Sequence, residues 1–213
     1  LLRVVSAAEQ ALRELIALDP AQRPLAARWS THTLQVHFAH PRPAPRGWQQ
    51  VSPTDVSTAL AETVPPDPDA DELPDWTPVA VGAAGETIAV HLAEVGSLGV
   101  TGPPVTRSTR LRELARDIAA ARQVVVVGVG AELTVDNPRI RYVPTVQLLL
   151  PNPPPAPEVL VIDGSLTTAQ QSRLTHLVAA STVTVVGPAL GEWVIDLQRC
   201  RLAPVAWPLA MNG

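Results

Sequence analysis

The residues best suited to chemistry lie in two segments of the sequence, 102–109 and 159–163. The first reads G-P-P-V-T-R-S-T and follows a short apolar run, and the second reads V-L-V-I-D. Phosphate-binding loops need glycines whose backbone amides wrap the phosphates, a lysine that reaches them, and a Ser or Thr hydroxyl on magnesium. The two segments can therefore be tested position by position for phosphoryl chemistry.

The first segment fails most of that test. With Gly102 aligned on the first glycine, Arg107 stands where the second glycine belongs and Ser108 stands where the lysine belongs. The two prolines after Gly102 carry no N–H and so remove two amide donors. Thr109 alone matches the magnesium-binding hydroxyl. We therefore expect that this segment holds no triphosphate.

The second segment ends on Asp163, which has two interpretations. It could be the aspartate that positions magnesium in a nucleotide hydrolase, where the next residue would be a glutamate that polarises water. That next residue is Gly164. Asp163 is also explained as a strand-end residue that makes a turn with Gly164, because Asp and Gly both favour turns.

Composition excludes several classes of function. All 16 basic residues are arginine, so no mechanism that needs a lysine is available, and the net charge of −4 gives no electrostatic footprint for nucleic acid. The arginine, alanine, valine and proline usage indicates a GC-rich genome such as that of an actinobacterium. The single cysteine, Cys200, leaves no intrachain disulfide and no thiolate cluster for zinc.

Three other candidate sites are weak. His32, His37 and His40 are close in sequence, but 32 and 37 face opposite sides of a predicted strand and no cysteine or carboxylate accompanies them. Residues 128–130 read G-V-G after a strand and lack the third glycine of a dinucleotide fold. The proline-rich segment 151–157 is typical of a rigid connector, with a polyproline ligand as the alternative.

The N-terminal part of the sequence predicts a small α+β unit over residues 1–63. Ser6 and Glu9 have capping-box spacing, which predicts a helix to Leu18. Residues 33–38 alternate between apolar and polar and predict a half-buried strand. The S-P-T-D sequence at 52–55 predicts a short helix to Glu62. Residues 64–75, with acidic residues and prolines, predict a linker to a separate domain over 76–213.

The remaining sequence alternates apolar strands with amphipathic helices, which predicts a parallel sheet. We expect a hairpin from residues 78–82 and 87–92, and a terminal hairpin from 192–197 and 201–205. Helices are predicted over 107–122 and from 167 onward. The strands expected in one parallel sheet are 98–101, 124–128, 159–163 and 182–187.

The order of these elements resembles that of FtsK/EccC/HerA-like P-loop ATPases over residues 77–190. The family hairpin and loop resemble the segment VAVGAAGETIAVHLAEVGSLGVTGPPVTRSTRL, and the next family strands resemble VVVVGVGAELTVDNPRIRYVPTVQLLL. The family strand that ends in an aspartate resembles VLVIDG, and the strand after it resembles VTVVGP. The arrangement also resembles a domain of large actinobacterial proteins that combine LysM and bacterial transcriptional activator modules. The resemblance implies a three-layer α/β, P-loop-like fold.

By that resemblance the vestigial nucleotide-site positions are Gly102, Arg107, Ser108, Thr109 and Asp163. The resemblance and the missing residues then predict a non-catalytic pseudo-ATPase domain with no cofactor, acting as an interaction or scaffold module of a larger actinobacterial protein. We expect that protein to be cytoplasmic and regulatory, and its anchoring to a membrane by another part stays open. Its expected partners are other protein domains or subunits, including copies of itself. Two alternatives stay open: a nucleotide-binding or weakly hydrolysing ATPase, and a DNA-associated module that uses the arginines at 107, 110, 112 and 116. No apolar run approaches the roughly 20 residues that cross a bilayer.

Overall fold

The computed structural model describes residues 2–18, 23–60, 76–120, 122–128, 137–143, 159–164, 167–180, 183–188 and 191–210. The chain divides into two compact units. The first contains Leu1–Glu94 and Pro208–Gly213, and the second contains Val95–Trp207. In the described residues no helix has the length and apolarity needed to cross a membrane.

The first unit is built on an antiparallel sheet that is covered on one face by a helix. Its strands are ordered β3-β4-β2-β1-β6-β5. Helix α1 contributes Leu12 and Leu15 to a core that also holds Leu34, Val36 and Phe38 of the sheet. The elements are α1 (Leu2–Leu18), β1 (Pro24–Trp29), β2 (Thr33–Phe38), β3 (Gln49–Ser52), β4 (Asp55–Ala59), β5 (Trp76–Val81) and β6 (Thr87–His91).

Strand β2 confirms the alternation seen in the sequence. Leu34, Val36 and Phe38 are buried, while Gln35 and His37 on the opposite face are half-buried. Because successive side chains of a strand point to opposite faces, the apolar set of β2 covers one face and meets α1 there. The helix predicted to end at Leu18 ends there in the structure, although it begins before Ser6.

The short helix predicted for residues 52–62 is wrong. The S-P-T-D sequence instead forms the turn between β3 and β4, which pair antiparallel. The Ser52 hydroxyl accepts the Thr54 N–H at 3.2 Å. Ser and Asp stabilise turns by the same side-chain to backbone bonds that cap helices, and the fixed φ of proline suits both structures, so local sequence does not separate the two outcomes. Val56 is completely buried and pairs with Val36 of β2. This burial in the sheet favours a strand over a helix for residues 55–59.

The boundary between the two units does not lie at the acidic segment, where the sequence predicted it. Strand β6, assigned from sequence to the second domain, pairs with β1 of the first unit from Ala26↔Val90 to Trp29↔Thr87. The hairpin of β5 and β6 therefore completes the first sheet, and the division falls at Glu94 rather than at residues 64–75. The acidic segment itself lies outside the described residues. Hydrogen bonding between distant strands, which local composition does not encode, sets this boundary.

The second unit is built on an eight-stranded sheet with the order β14-β13-β12-β7-β11-β10-β8-β9. Strands β7, β11, β10 and β8 pair in parallel, which confirms the predicted parallel sheet. Its elements, after the short helix α2 (Leu92–Val95), are β7 (Ser97–Thr101), α3 (Pro104–Ala119), β8 (Val124–Gly128), β9 (Ile140–Val143), β10 (Val159–Asp163), α4 (Thr168–Ala180), β11 (Thr184–Gly187), β12 (Trp193–Asp196), β13 (Arg201–Ala203) and β14 (Trp207–Pro208).

The two long helices of this unit, α3 and α4, pack against its buried strands. Leu174 of α4 packs in one cluster with Leu160 and Ile162 of β10. The alternate residues Val159 and Val161 are equally buried and point the other way, toward the face on which α3 packs against β7, β8, β9 and β10. Strands buried on both faces explain why 124–128 and 159–163 are continuous apolar runs.

Helix α4 begins with the reciprocal bonds expected of a capping box. The Thr167 N–H donates to the Gln170 side-chain oxygen at 2.9 Å, and the Gln170 N–H donates to the Thr167 hydroxyl at 3.3 Å. The spacing Thr167 to Gln170 therefore fixed the start of this helix correctly from sequence.

The predicted terminal hairpin is confirmed. Strands β12 and β13 pair antiparallel, and Cys200 lies in the turn between them with φ 49°. Two other sequence predictions, the G-V-G text at 128–130 and the proline-rich segment 151–157, fall on residues outside the described part of the chain, apart from Gly128 at the end of β8.

We expect Leu114→Ala to destabilise the second unit strongly, because Leu114 of α3 is completely buried. Truncation of a buried leucine leaves a cavity and typically costs about 2 to 5 kcal/mol. Val105 on the same helix is 79% exposed, so Val105→Ala is the matched control and should change stability by less than about 0.5 kcal/mol. Urea denaturation followed by circular dichroism measures both. Equal losses for the two variants would contradict the packing of α3 on the sheet.

Candidate functional site

The candidate site lies at the carboxyl end of β10, where Asp163 meets α3. The Ser108 hydroxyl lies 2.6 Å from Oδ1 and 2.7 Å from Oδ2 of Asp163. The Arg112 Nε donates to Oδ2 at 3.2 Å. Only 12% of the Asp163 side chain is exposed, against 38% for Arg112. We call this contact the Asp163 clamp: one nearly buried carboxylate held by one hydroxyl and one guanidinium of the same helix.

Helix geometry explains why these two α3 residues reach the same carboxylate. Residues four apart lie one above the other on a helix, so Ser108 and Arg112 share a face. Asp163 follows Val159 and Val161 at the two-residue spacing of a strand, which places it on the face that α3 covers. The apolar residues Leu111 and Ala115 of α3 are buried beside this face and hold the helix against the sheet.

The loop expected at residues 102–109 is not a loop beyond Pro103. Helix α3 begins at Pro104, so Arg107, Ser108 and Thr109 are helical residues. The Arg107 N–H donates to the Pro103 carbonyl at 2.9 Å, and that amide is therefore engaged within the helix. Proline at the first helical position has the correct φ and lacks an N–H that would have no partner there. The helix start reaches further back than the sequence prediction of Arg107.

Gly102 is held by the turn after β12 rather than facing open space. Its φ is 142°, a backbone conformation that residues with a side chain rarely adopt, and a Cβ added there would lie 2.9 Å from the Leu197 Cβ. The Leu197 N–H also donates to the Thr101 carbonyl at 3.0 Å. The glycine is thus required by local backbone geometry and by the close approach of Leu197.

The other arginines of α3 have neighbours along the helix and the sheet edge. Arg110 forms an ion pair with Glu113 at 2.7 Å. Burial raises the pKa of the Tyr142 hydroxyl on β9, while the nearby Arg116 and Arg112 act in the opposite direction.

The clamp satisfies the Asp163 carboxylate with two donors. Hydrogen bonds that a carboxylate accepts from a hydroxyl and a guanidinium are charge-assisted, and such bonds are shorter and stronger than those between neutral groups. Gly164, which follows it, has no side chain to polarise a water. Across the described residues there is no group of three or more His, Cys, Asp or Glu placed to hold a metal ion.

The structure brings together only part of the set predicted from sequence. Ser108 and Asp163 meet directly, although they are 55 residues apart. Thr109 is exposed, so the hydroxyl at the lysine-equivalent position, not the one at the metal-equivalent position, contacts the carboxylate. The sequence analysis considered Arg112 only for DNA binding and not as a partner of Asp163, and it did not identify Leu197. The i, i+4 spacing of Ser108 and Arg112 could have indicated that both side chains lie on one face of a helix. No sequence pattern indicated the approach of Leu197 to Gly102.

A polar cluster in the first unit corrects one further expectation. His37 does have a carboxylate partner: its Nδ1 lies 3.2 Å from Oδ1 of Asp55 on the neighbouring strand β4. Ser52 also hydrogen-bonds the Asp55 carboxylate. In this order the carboxylate stands between the serine and the histidine, so the histidine does not activate the serine as it does in a hydrolase triad. The cluster stabilises the β3–β4 turn.

Comparison of the chain with protein-family models, with curated proteins and with solved structures finds no match. The function of the site is therefore inferred from its own geometry.

We expect Ser108→Ala to destabilise the protein, because it removes a donor from a nearly buried carboxylate. The loss should be on the order of 1 to 3 kcal/mol, the range for hydrogen bonds to charged groups. Thr109→Ala is the matched control, since Thr109 is exposed on the adjacent helical position and should change little. Urea denaturation compares the two. If Thr109→Ala were the more damaging substitution, Thr109 rather than Ser108 would hold Asp163.

We expect Gly102→Ala to be destabilising in the absence of any nucleotide. A side chain at φ 142° is strained and its Cβ would collide with Leu197. Gly96, with φ 66° and no atom within 4 Å of an added Cβ, provides the control Gly96→Ala. Gly102→Ala should cost roughly 2 kcal/mol more than the control, within the range known for sparsely populated backbone regions plus a steric conflict. Similar melting temperatures for both variants would show that Leu197 does not restrict Gly102.

Proposed function

We propose that the second unit is a non-catalytic pseudo-ATPase domain that acts as an interaction or scaffold module. The observation that carries this proposal is the Asp163 clamp. The carboxylate that would position magnesium is instead neutralised by Arg112, and it is bound by Ser108 at the place where a phosphate-binding lysine would stand.

Charge supports this proposal first. A magnesium nucleotide brings a divalent cation that needs an available carboxylate, together with phosphates that need cationic donors. Asp163 is already paired with Arg112, so a metal would have to displace the guanidinium and leave it in a partly buried position without its partner. The sequence contains no lysine to contact the phosphates.

Backbone donors support it next. Pro103 and Pro104 contribute no N–H, and the Arg107 N–H is bonded to the Pro103 carbonyl. A phosphate cradle is formed by consecutive free amides in a turn, and here helix α3 starts two residues after Gly102. The start of α3 therefore lacks the wrapping loop that a triphosphate requires.

The proposed fold is a three-layer, P-loop-like α/β domain in which Gly102, Arg107, Ser108, Thr109 and Asp163 are vestigial nucleotide-site positions. The parallel strands and the helices on their two faces support it. We further propose that the partners are other protein domains or subunits, including copies of the same chain, within a larger cytoplasmic protein with a regulatory role.

The DNA-associated alternative is disfavoured by the ion pairs of α3. Arg110 pairs with Glu113 and Arg112 pairs with Asp163, so two of the four arginines considered are charge-compensated. Binding to duplex DNA needs several cationic side chains that reach phosphates at the same time. The net charge of −4 opposes such a contact further.

We expect isothermal titration calorimetry with millimolar magnesium ATP to show no saturable heat. Each missing amide or charged contact costs on the order of 1 to 3 kcal/mol, so the loss of three or more moves a micromolar site to millimolar or weaker. The thermal midpoint should likewise stay unchanged when magnesium ATP is added, because a ligand that does not bind the folded state does not stabilise it.

The control for this titration is Thr109→Ala, which removes the residue aligned with the metal-binding hydroxyl and leaves the clamp in place. Native protein and variant should give the same flat titration. Micromolar affinity in the native protein that is abolished by Thr109→Ala would overturn the proposal and favour a nucleotide-binding or weakly hydrolysing ATPase instead.

A further inference from the structure

We draw no further inference here: the strongest candidate, the small apolar tip that Pro103, Pro104 and the 79% exposed Val105 form at the start of α3, is an unpartnered surface patch, and nothing in the described residues shows what covers it.

Discussion

The second unit depends on one contact, the bonding of a strand-end carboxylate by two residues of the helix above it. Asp163 is the last residue of the interior strand β10, and α3 packs on the sheet through Leu111, Leu114 and Ala115. The hydrophobic effect is non-directional, whereas hydrogen bonds to one carboxylate have a defined geometry. The hydroxyl and guanidinium bonds to Asp163 fix the position of α3 along the sheet. The same bonds engage both oxygens of the Asp163 carboxylate.

A nucleotide site and a structural contact such as the Asp163 clamp use similar residues at the same place in the fold. Few substitutions are therefore needed to convert one into the other. Parallel α/β sheets present polar side chains and helix starts at the carboxyl ends of their strands, which is where such folds bind ligands. A guanidinium in that place donates to the carboxylate and carries a positive charge at every physiological pH. Gly102 is also closely approached by a residue of the same unit, because a Cβ added there would lie 2.9 Å from the Leu197 Cβ.

The sequence predicted the periodic parts of this fold and missed what distant contacts decide. The structure confirms the strands predicted at 124–128 and 159–163 and the alternation of β2. A strand that is buried on both faces is apolar along its length, and one that is buried on a single face alternates, so both kinds can be recognised from sequence. The S-P-T-D turn was misread because caps and turns share chemistry. The unit boundary depends on β6 pairing with β1, some 60 residues away in sequence. Pro104 is a typical first residue of a helix and indicates the start of α3. The alignment of residues 102–109 with a phosphate-binding loop led to the prediction of a loop there instead.

The central claim is that Asp163 is unavailable to a divalent cation. Electron paramagnetic resonance of Mn²⁺, titrated into the protein with ATP present, tests it directly because bound and complexed ions give different spectra. The clamp predicts the same Mn²⁺ spectrum with and without native protein, and no change on Asp163→Asn. A protein-bound Mn²⁺ signal that disappears in Asp163→Asn would contradict the claim and show that the carboxylate still serves a nucleotide site.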